Sequence, residues 1–250
     1  MNLVLVVILG LVIGSFLNVV IYRLHVGIGF MRGRSYCPYC KHDLGALDLI
    51  PLFSFLTLRG KCRYCGKPIS WQYPMVELGT AVAFGLLYWQ FGLQADFIVY
   101  LIYAIFLIII FVYDFRYYLI LDKVSVPAII LAALLSYFVL GIGVMDLVIG
   151  SLIGGGFFWL QFIISKGKWI GGGDIRLGII MGLMLGYPLV LVALFIAYLL
   201  GSLVGIFLIL FGKKKWKSHV PFGTFLSAAT FLTIFIGDSV VFYYTSLLLL

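Results

Sequence analysis

Asp114 and Asp174 sit where long apolar stretches meet short polar loops, and the second closes a glycine run, Gly171-Gly172-Gly173-Asp174. An ionisable side chain costs roughly 2.5 to 3.5 kcal/mol at the centre of an inserted helix, so a carboxylate kept near membrane depth marks a functional position. Two carboxylates brought together cannot both ionise easily and share one proton. The ionised member then draws a proton from water while the protonated member polarises a scissile carbonyl, which is amide hydrolysis without a covalent intermediate. None of His25, His42 and His219 lies in a recognisable serine-partner motif, so no other nucleophile has equal support. The structural alternatives are a helix-terminal surface role for Asp114 and an N-cap role for Asp174. Asp122, just before the next apolar stretch, reads as a helix cap or a charge favoured by the dipole.

The second chemical cluster is Cys37-Pro38-Tyr39-Cys40, followed after 21 residues by Cys62-Arg63-Tyr64-Cys65. Two C-x-x-C pairs at this separation match a four-thiolate structural zinc site without an open coordination position. A disulfide framework is the alternative, but the basic loop that carries these thiols predicts the reducing cytoplasm. Between the pairs, Asp48-Leu49-Ile50-Pro51-Leu52-Phe53-Ser54-Phe55-Leu56 is apolar for a soluble loop. It suits packing beneath the zinc ribbon, against the membrane face of the helices, or against a partner.

Stepping outward from these residues, the chain has 64% hydrophobic and 10% charged residues in 250, too little polar surface for a soluble domain. A bilayer core about 30 Å thick needs roughly 20 apolar residues per helix. About eight stretches qualify: 2–22, 74–91, 97–113, 124–142, 147–165, 175–187, 189–211 and 221–241. Gly186, Tyr187 and Pro188 separate the sixth and seventh as two helices with a tight turn. With these spans, all 17 Lys and Arg residues fall on one side, including Arg32, Lys213, Lys214, Lys215 and Lys217, while Asp96, Asp146 and Asp238 fall on the other. The positive-inside rule then predicts a cytoplasmic active side and zinc loop, with both termini outside. The net charge of +8 is a topology signal and an attraction to anionic lipid, since no element suited to reading nucleic acid is evident. Arg23 follows the first apolar core instead of preceding it, so span one is expected to be retained and not cleaved as a signal peptide.

The expected architecture is an all-α polytopic membrane protein. Residues 1–22 form helix one, 23–73 the four-cysteine loop, and 74–250 helices two to eight with both aspartates. On span one, Ser15, Asn18 and Tyr22 share a face, and Gly10 and Gly14 permit close helix approach.

The chain resembles the bacterial type IV prepilin peptidases, GxGD-type membrane aspartic proteases, over nearly its whole length. The resemblance rests on Gly14-Ser15-Phe16-Leu17-Asn18 through Tyr22-Arg23-Leu24, the paired knuckles enclosing Asp48-Leu49-Ile50-Pro51, Leu58-Arg59-Gly60-Lys61-Cys62, Tyr73-Pro74-Met75-Val76-Glu77, the Asp114 segment and Gly171-Gly172-Gly173-Asp174. It implies cleavage of the short basic leader of type IV prepilins or pilin-like proteins at the cytoplasmic face of the inner membrane. Asp114 and Asp174 take the catalytic positions; Gly171, Gly172, Gly173, Arg176, Asn18 and Glu77 are supporting or substrate-handling candidates. It also implies S-adenosylmethionine-dependent N-methylation of the new terminus. Three positions depart from the family pattern: Leu121 where Ile-Pro-Asp is common, Arg176 where lysine is common, and His25 where proline often follows Arg-Leu. Two other classes use the same residues, a proton-coupled transporter and a non-catalytic membrane scaffold. Both aspartates lie at the cytoplasmic ends and the outer halves of the helices contain no matching ionisable residues, which argues against the transporter.

Overall fold

The computed structural model describes residues 2–29, 33–211 and 220–248. Arg32, Lys213, Lys214, Lys215, Lys217 and His219 lie outside the described residues. The helices are α1 (Asn2–Val26), α2 (Phe53–Thr57), α3 (Gln72–Phe91), α4 (Ala95–Tyr117), α5 (Asp122–Phe138), α6 (Val144–Ser165), α7 (Gly172–Leu185), α8 (Leu189–Leu210) and α9 (Phe222–Leu248), with a 3₁₀ turn at Ala46–Asp48. Among the described residues the only β-pairing is two isolated bridges, Tyr36 with Asp43 and Lys61 with Pro68.

The eight long helices fall on the eight apolar stretches. Five of them, α1, α4, α6, α8 and α9, are long and apolar enough to cross a membrane. Of the other three, α5 has 17 residues and α7 has 14, short of the roughly 20 a full crossing needs. The expectation of eight crossings is therefore met on these grounds by five helices. The tight turn between the sixth and seventh stretches is present: Gly186 ends α7 at φ +71°, a torsion that favours glycine, and Tyr187 N–H bonds the Asp146 carbonyl at 3.0 Å.

The chain forms two compact units, Met1–Phe97 and Ile98–Leu250. In the first, α1 packs on α3 through Gly10 and Gly14. A Cβ at either would stand 2.6 Å from the Ala81 Cα or 2.7 Å from the Glu77 Cα. In the second, α6 and α7 meet backbone to backbone: a Cβ on Gly154 would come within 2.2 Å of the Gly178 carbonyl, and one on Gly182 within 2.2 Å of the Gly150 carbonyl. Both helices thus use glycines four residues apart, the small-xxx-small pattern that replaces hydrophobic driving force where the solvent is lipid. A buried polar link joins three helices: Tyr103 on α4 meets Ser136 on α5 at 2.6 Å, and Ser136 donates to the Leu183 carbonyl on α7 at 2.7 Å. In an apolar interior such satisfied pairs fix which helix faces are in contact.

Candidate active site and metal centre

Asp114 lies near the end of α4 and is only 5% exposed, so it is not a surface residue. Its Oδ2 accepts the Thr224 backbone N–H at 2.8 Å and the Thr224 hydroxyl at 3.2 Å. The carboxylate of one helix thereby serves the open first turn of another, α9, where amide groups have no intrahelical partner. Close approach depends on Gly223, because a Cβ there would stand 3.0 Å from Asp114 Oδ2 and 2.8 Å from Ile120 Cδ1.

Asp174 is not the N-cap of its helix, which corrects the structural alternative that the sequence offered for it. Gly171 holds that position, and from the third residue of α7 Asp174 Oδ2 reaches back to accept the Gly171 N–H at 3.1 Å. The helix takes in Gly172 and Gly173 because the carboxylate satisfies an amide that would otherwise be free. Gly173 fixes the spacing to its neighbour: a Cβ there would lie 2.8 Å from Ile120 Cβ. Buried Ile120 touches Gly173, next to Asp174, and Gly223, beside Asp114's partner, so one side chain gauges the approach of both segments. Asp174 stands within direct electrostatic reach of Asp114.

Arg176 forms an ion pair with Asp122, joining the first turns of α7 and α5. Asp122 is therefore not the cap either. Leu121 takes the cap position in extended conformation, φ −82° and ψ 135°, and Asp122 is the first helical residue. Arg176 Nε is buried without a hydrogen-bond partner among the described residues.

Sequence reasoning missed Gly223, Thr224, Ile120, Gln161 and Tyr198. Tyr198 on α8 accepts a hydrogen bond from Gln161 at 2.9 Å, interacts electrostatically with Asp174, and meets the Phe222 ring edge-on at 5.0 Å. An apolar cavity of about 570 Å³ among α4, α8 and α9 is lined by Phe111, Phe115, Leu200, Val204, Phe225 and Thr224, and so adjoins Asp114's partner. The signal for α9 was legible: Pro221 before Phe222-Gly223-Thr224 marks a helix start with a small residue in its first turn.

In the first unit, Asn18 is 1% exposed and holds α1 to the start of α3. It donates to the Tyr73 carbonyl at 3.1 Å and accepts from Gln72 at 3.2 Å. Glu77 is buried and accepts the Leu52 N–H at 2.8 Å, tying the loop to α3. Arg23, also buried, donates to the carbonyls of Gly33 at 3.0 Å and Arg34 at 2.9 Å.

All four cysteines are free, and their Sγ atoms lie within 4.8 Å of one another, with Cys37 and Cys65 at 3.9 Å. A tetrahedral ion with Zn–S bonds of about 2.3 Å needs sulfurs roughly 3.8 Å apart, so the donor set fits zinc. The knuckles are near-copies: Cys37 N–H bonds the His42 carbonyl at 3.0 Å and Cys62 N–H the Lys67 carbonyl at 2.8 Å. Desolvation pushes the Cys37 thiol up, but the Cys40 and Tyr39 amides and neighbouring thiols outweigh it and bring it down to about 7. The Lys67 amide favours the Cys65 thiolate, yet desolvation and the other three thiols push it up to about 11. Four sulfurs this close cannot all ionise without a cation between them. Asp48 braces the second knuckle, meeting Arg63 at 2.7 Å and Tyr64 at 3.1 Å.

The two units also separate in comparisons with known proteins. Residues 8–91 match the bacterial peptidase A24 N-terminal domain, and residues 101–206 match the type IV leader peptidase family. Proteins named prepilin leader peptidase/N-methyltransferase are similar throughout. The one from Bacillus subtilis (strain 168) is 32% identical, covering 97% of this chain and 97% of its own length. That from Aeromonas hydrophila is 33% identical over 96% of this chain and 92% of its own, and that from Pseudomonas aeruginosa 27% over 94% and 90%. No solved structure matches. Similarity at about one residue in three runs through both units and nearly the full length of these relatives, and the chain belongs to the type IV leader peptidase family.

Proposed function

We propose that Asp114 and Asp174 are the acid–base pair of a membrane aspartic endopeptidase that removes the short basic leader of type IV prepilins or pilin-like proteins. The observation that carries this reading is two carboxylates from different helices, α4 and α7, within electrostatic reach of each other. The bonds from Thr224 and Gly171 go to Oδ2 of each aspartate, and in this reading the nucleophile is a water shared by the two carboxyls. One carboxylate takes a proton from that water as it attacks the peptide carbonyl. The other, protonated, donates to the carbonyl oxygen; when the resulting diol collapses it takes that proton back, and the first carboxyl passes the proton gained from water to the leaving amine. The apolar cavity beside Thr224 gives an apolar part of the substrate a place next to Asp114.

Methylation of the new N-terminus is the second activity in this reading, with S-adenosylmethionine as methyl donor. Its support is the name shared by the relatives. Zinc is structural, held by Cys37, Cys40, Cys62 and Cys65. The inner membrane is the expected location, with the site and the zinc loop at the cytoplasmic face and both termini outside. The scaffold alternative has an observation of its own, since each aspartate does serve a helix start. Co-expression with a pilin-like substrate separates the two. A mobility shift, N-terminal sequencing and product mass should show a shortened, methylated product, and Asp114→Asn or Asp174→Asn should lower cleavage by roughly 100-fold or more. Uncut substrate beside well-inserted wild-type protein would overturn the proposal.

A further inference from the structure

The apolar segment between the cysteine pairs has no part in the chemistry above, yet the structure holds it at a definite depth. Leu52 N–H bonds Glu77, which lies five residues past Gln72, about 7.5 Å along α3 at 1.5 Å per residue. The short helix α2 therefore begins beside the first turns of α3 and not above them. Trp71, the residue before α3, meets Phe55 of α2 at a tilt of 60° with ring centroids 4.9 Å apart. Asn18 fixes the level on the other helix: it bonds Gln72 and Tyr73, and α1 continues past it through Val19-Val20-Ile21 before Arg23. The start of α3 thus lies alongside the apolar run of α1.

At that depth α2 buries Phe55 and turns Phe53 and Leu56 outward. Phe53 and Leu56, three residues apart on one helical face, are 60% and 71% exposed, and Trp71 is 71% exposed. Directly after α2 come Arg59 and Lys61, both exposed and without an acidic partner among the described residues. An apolar tip carrying an exposed tryptophan, rimmed by cations and tied through Leu52 and Phe55 to the start of α3, matches the acyl–headgroup boundary of an anionic bilayer in both hydrophobicity and charge.

We propose that α2 and Trp71 form an interfacial wedge, in which Phe53 and Leu56 enter the hydrocarbon edge of the bilayer and Arg59 and Lys61 bind anionic phospholipid headgroups. This goes beyond the peptidase reading and does not depend on the aspartates. The test places the photo-crosslinking residue p-benzoylphenylalanine at Leu56, and separately at Phe53, in the full chain. The protein is reconstituted in phosphatidylcholine alone and in phosphatidylcholine with phosphatidylglycerol. Leu203, 56% exposed on α8, and Tyr64, 47% exposed on the second knuckle, serve as lipid-facing and water-facing references. Lipid adducts at positions 56 and 53 should match the Leu203 yield and exceed that of Tyr64 several-fold. Phosphatidylglycerol adducts should exceed their share of the bilayer and fall back to it in the Arg59→Glu/Lys61→Glu variant. Adducts to a second copy of the chain, or no lipid adducts at either position while Leu203 reacts, overturn the wedge. Adducts in proportion to bulk lipid overturn the headgroup assignment.

Discussion

Asp114 is held by the Thr224 hydroxyl and backbone amide, with Gly223 setting the approach, and these contributions can be separated. Thr224→Val removes the 3.2 Å hydroxyl bond but keeps the 2.8 Å bond from its amide. Under the proposed mechanism it should lower cleavage about tenfold, the equivalent of one bond to a charged group worth roughly 1.5 kcal/mol. Gly223→Ala should do more. Its Cβ would stand 3.0 Å from the carboxylate and 2.8 Å from Ile120, so something must shift, and a displacement near 1 Å can cost roughly 100-fold in rate. Single-turnover cleavage in proteoliposomes checks the order of the two variants; equal effects would mean that Gly223 does not set the distance. The carboxylates were legible in sequence because charge is rare in apolar stretches. Their partners were not, since glycine, threonine and isoleucine are ordinary residues of a membrane helix and gain meaning only from what stands opposite.

At the scale of elements, the eight apolar stretches each became a long helix in the expected order, but only five are long and apolar enough to cross a membrane and the short α2 was not anticipated. Helix ends shifted where side chains reach back to the backbone, as at Asp174, or where an ion pair engages the first residue, as at Asp122. The glycine seam of α6 and α7 escaped sequence reading because its two halves, Gly150 and Gly154 against Gly178 and Gly182, lie on different helices. Gly178→Ala forces a Cβ to 2.4 Å from the Gly154 carbonyl and should destabilise the protein by about 1 to 3 kcal/mol, seen as a lower midpoint of thermal unfolding in detergent. The departure at Leu121 yields the opposite expectation. Its φ of −82° is within reach of proline, and its ψ of 135° leaves the start of α5 unchanged. Leu121→Pro should therefore be neutral or stabilise by about 0.4 to 1 kcal/mol, by restricting the unfolded chain. A lowered midpoint in that variant would show that the segment carrying Ile120 needs the freedom leucine gives it.

Across the whole molecule, chemistry is divided between two compact units: the four thiols lie in Met1–Phe97, both candidate carboxylates in Ile98–Leu250. The loop between α1 and α3 has little apolar core, so under the zinc proposal bound metal would supply much of its folding free energy, while the second unit is held by glycine contacts and the Tyr103–Ser136–Leu183 link. Chelation should accordingly raise amide exchange in residues 34–70 and leave the helices of Ile98–Leu250 unchanged. Acidification should act on the same loop by two routes. Thiols must lose protons to bind zinc, so affinity should fall throughout the range below the Cys65 value of about 11, and most steeply once pH is below about 7, where Cys37 also holds its proton. Desolvation opposes ionisation of Asp48, but Arg63, the Gly45 amide and Tyr64 outweigh it and hold its carboxyl below the usual carboxylate range. Because that pKa is lower folded than unfolded, its contribution is complete above the unfolded value near 4 and is lost as pH falls through the lower, folded one. Exchange measured from neutral pH downward, corrected for its intrinsic pH dependence, should thus show metal-linked loosening first and loss of the Asp48 brace only in strong acid. Zinc content should follow the first step alone. If residues 34–70 and the helices of Ile98–Leu250 loosened together at every pH, the loop would be folded by its surroundings and not by its metal.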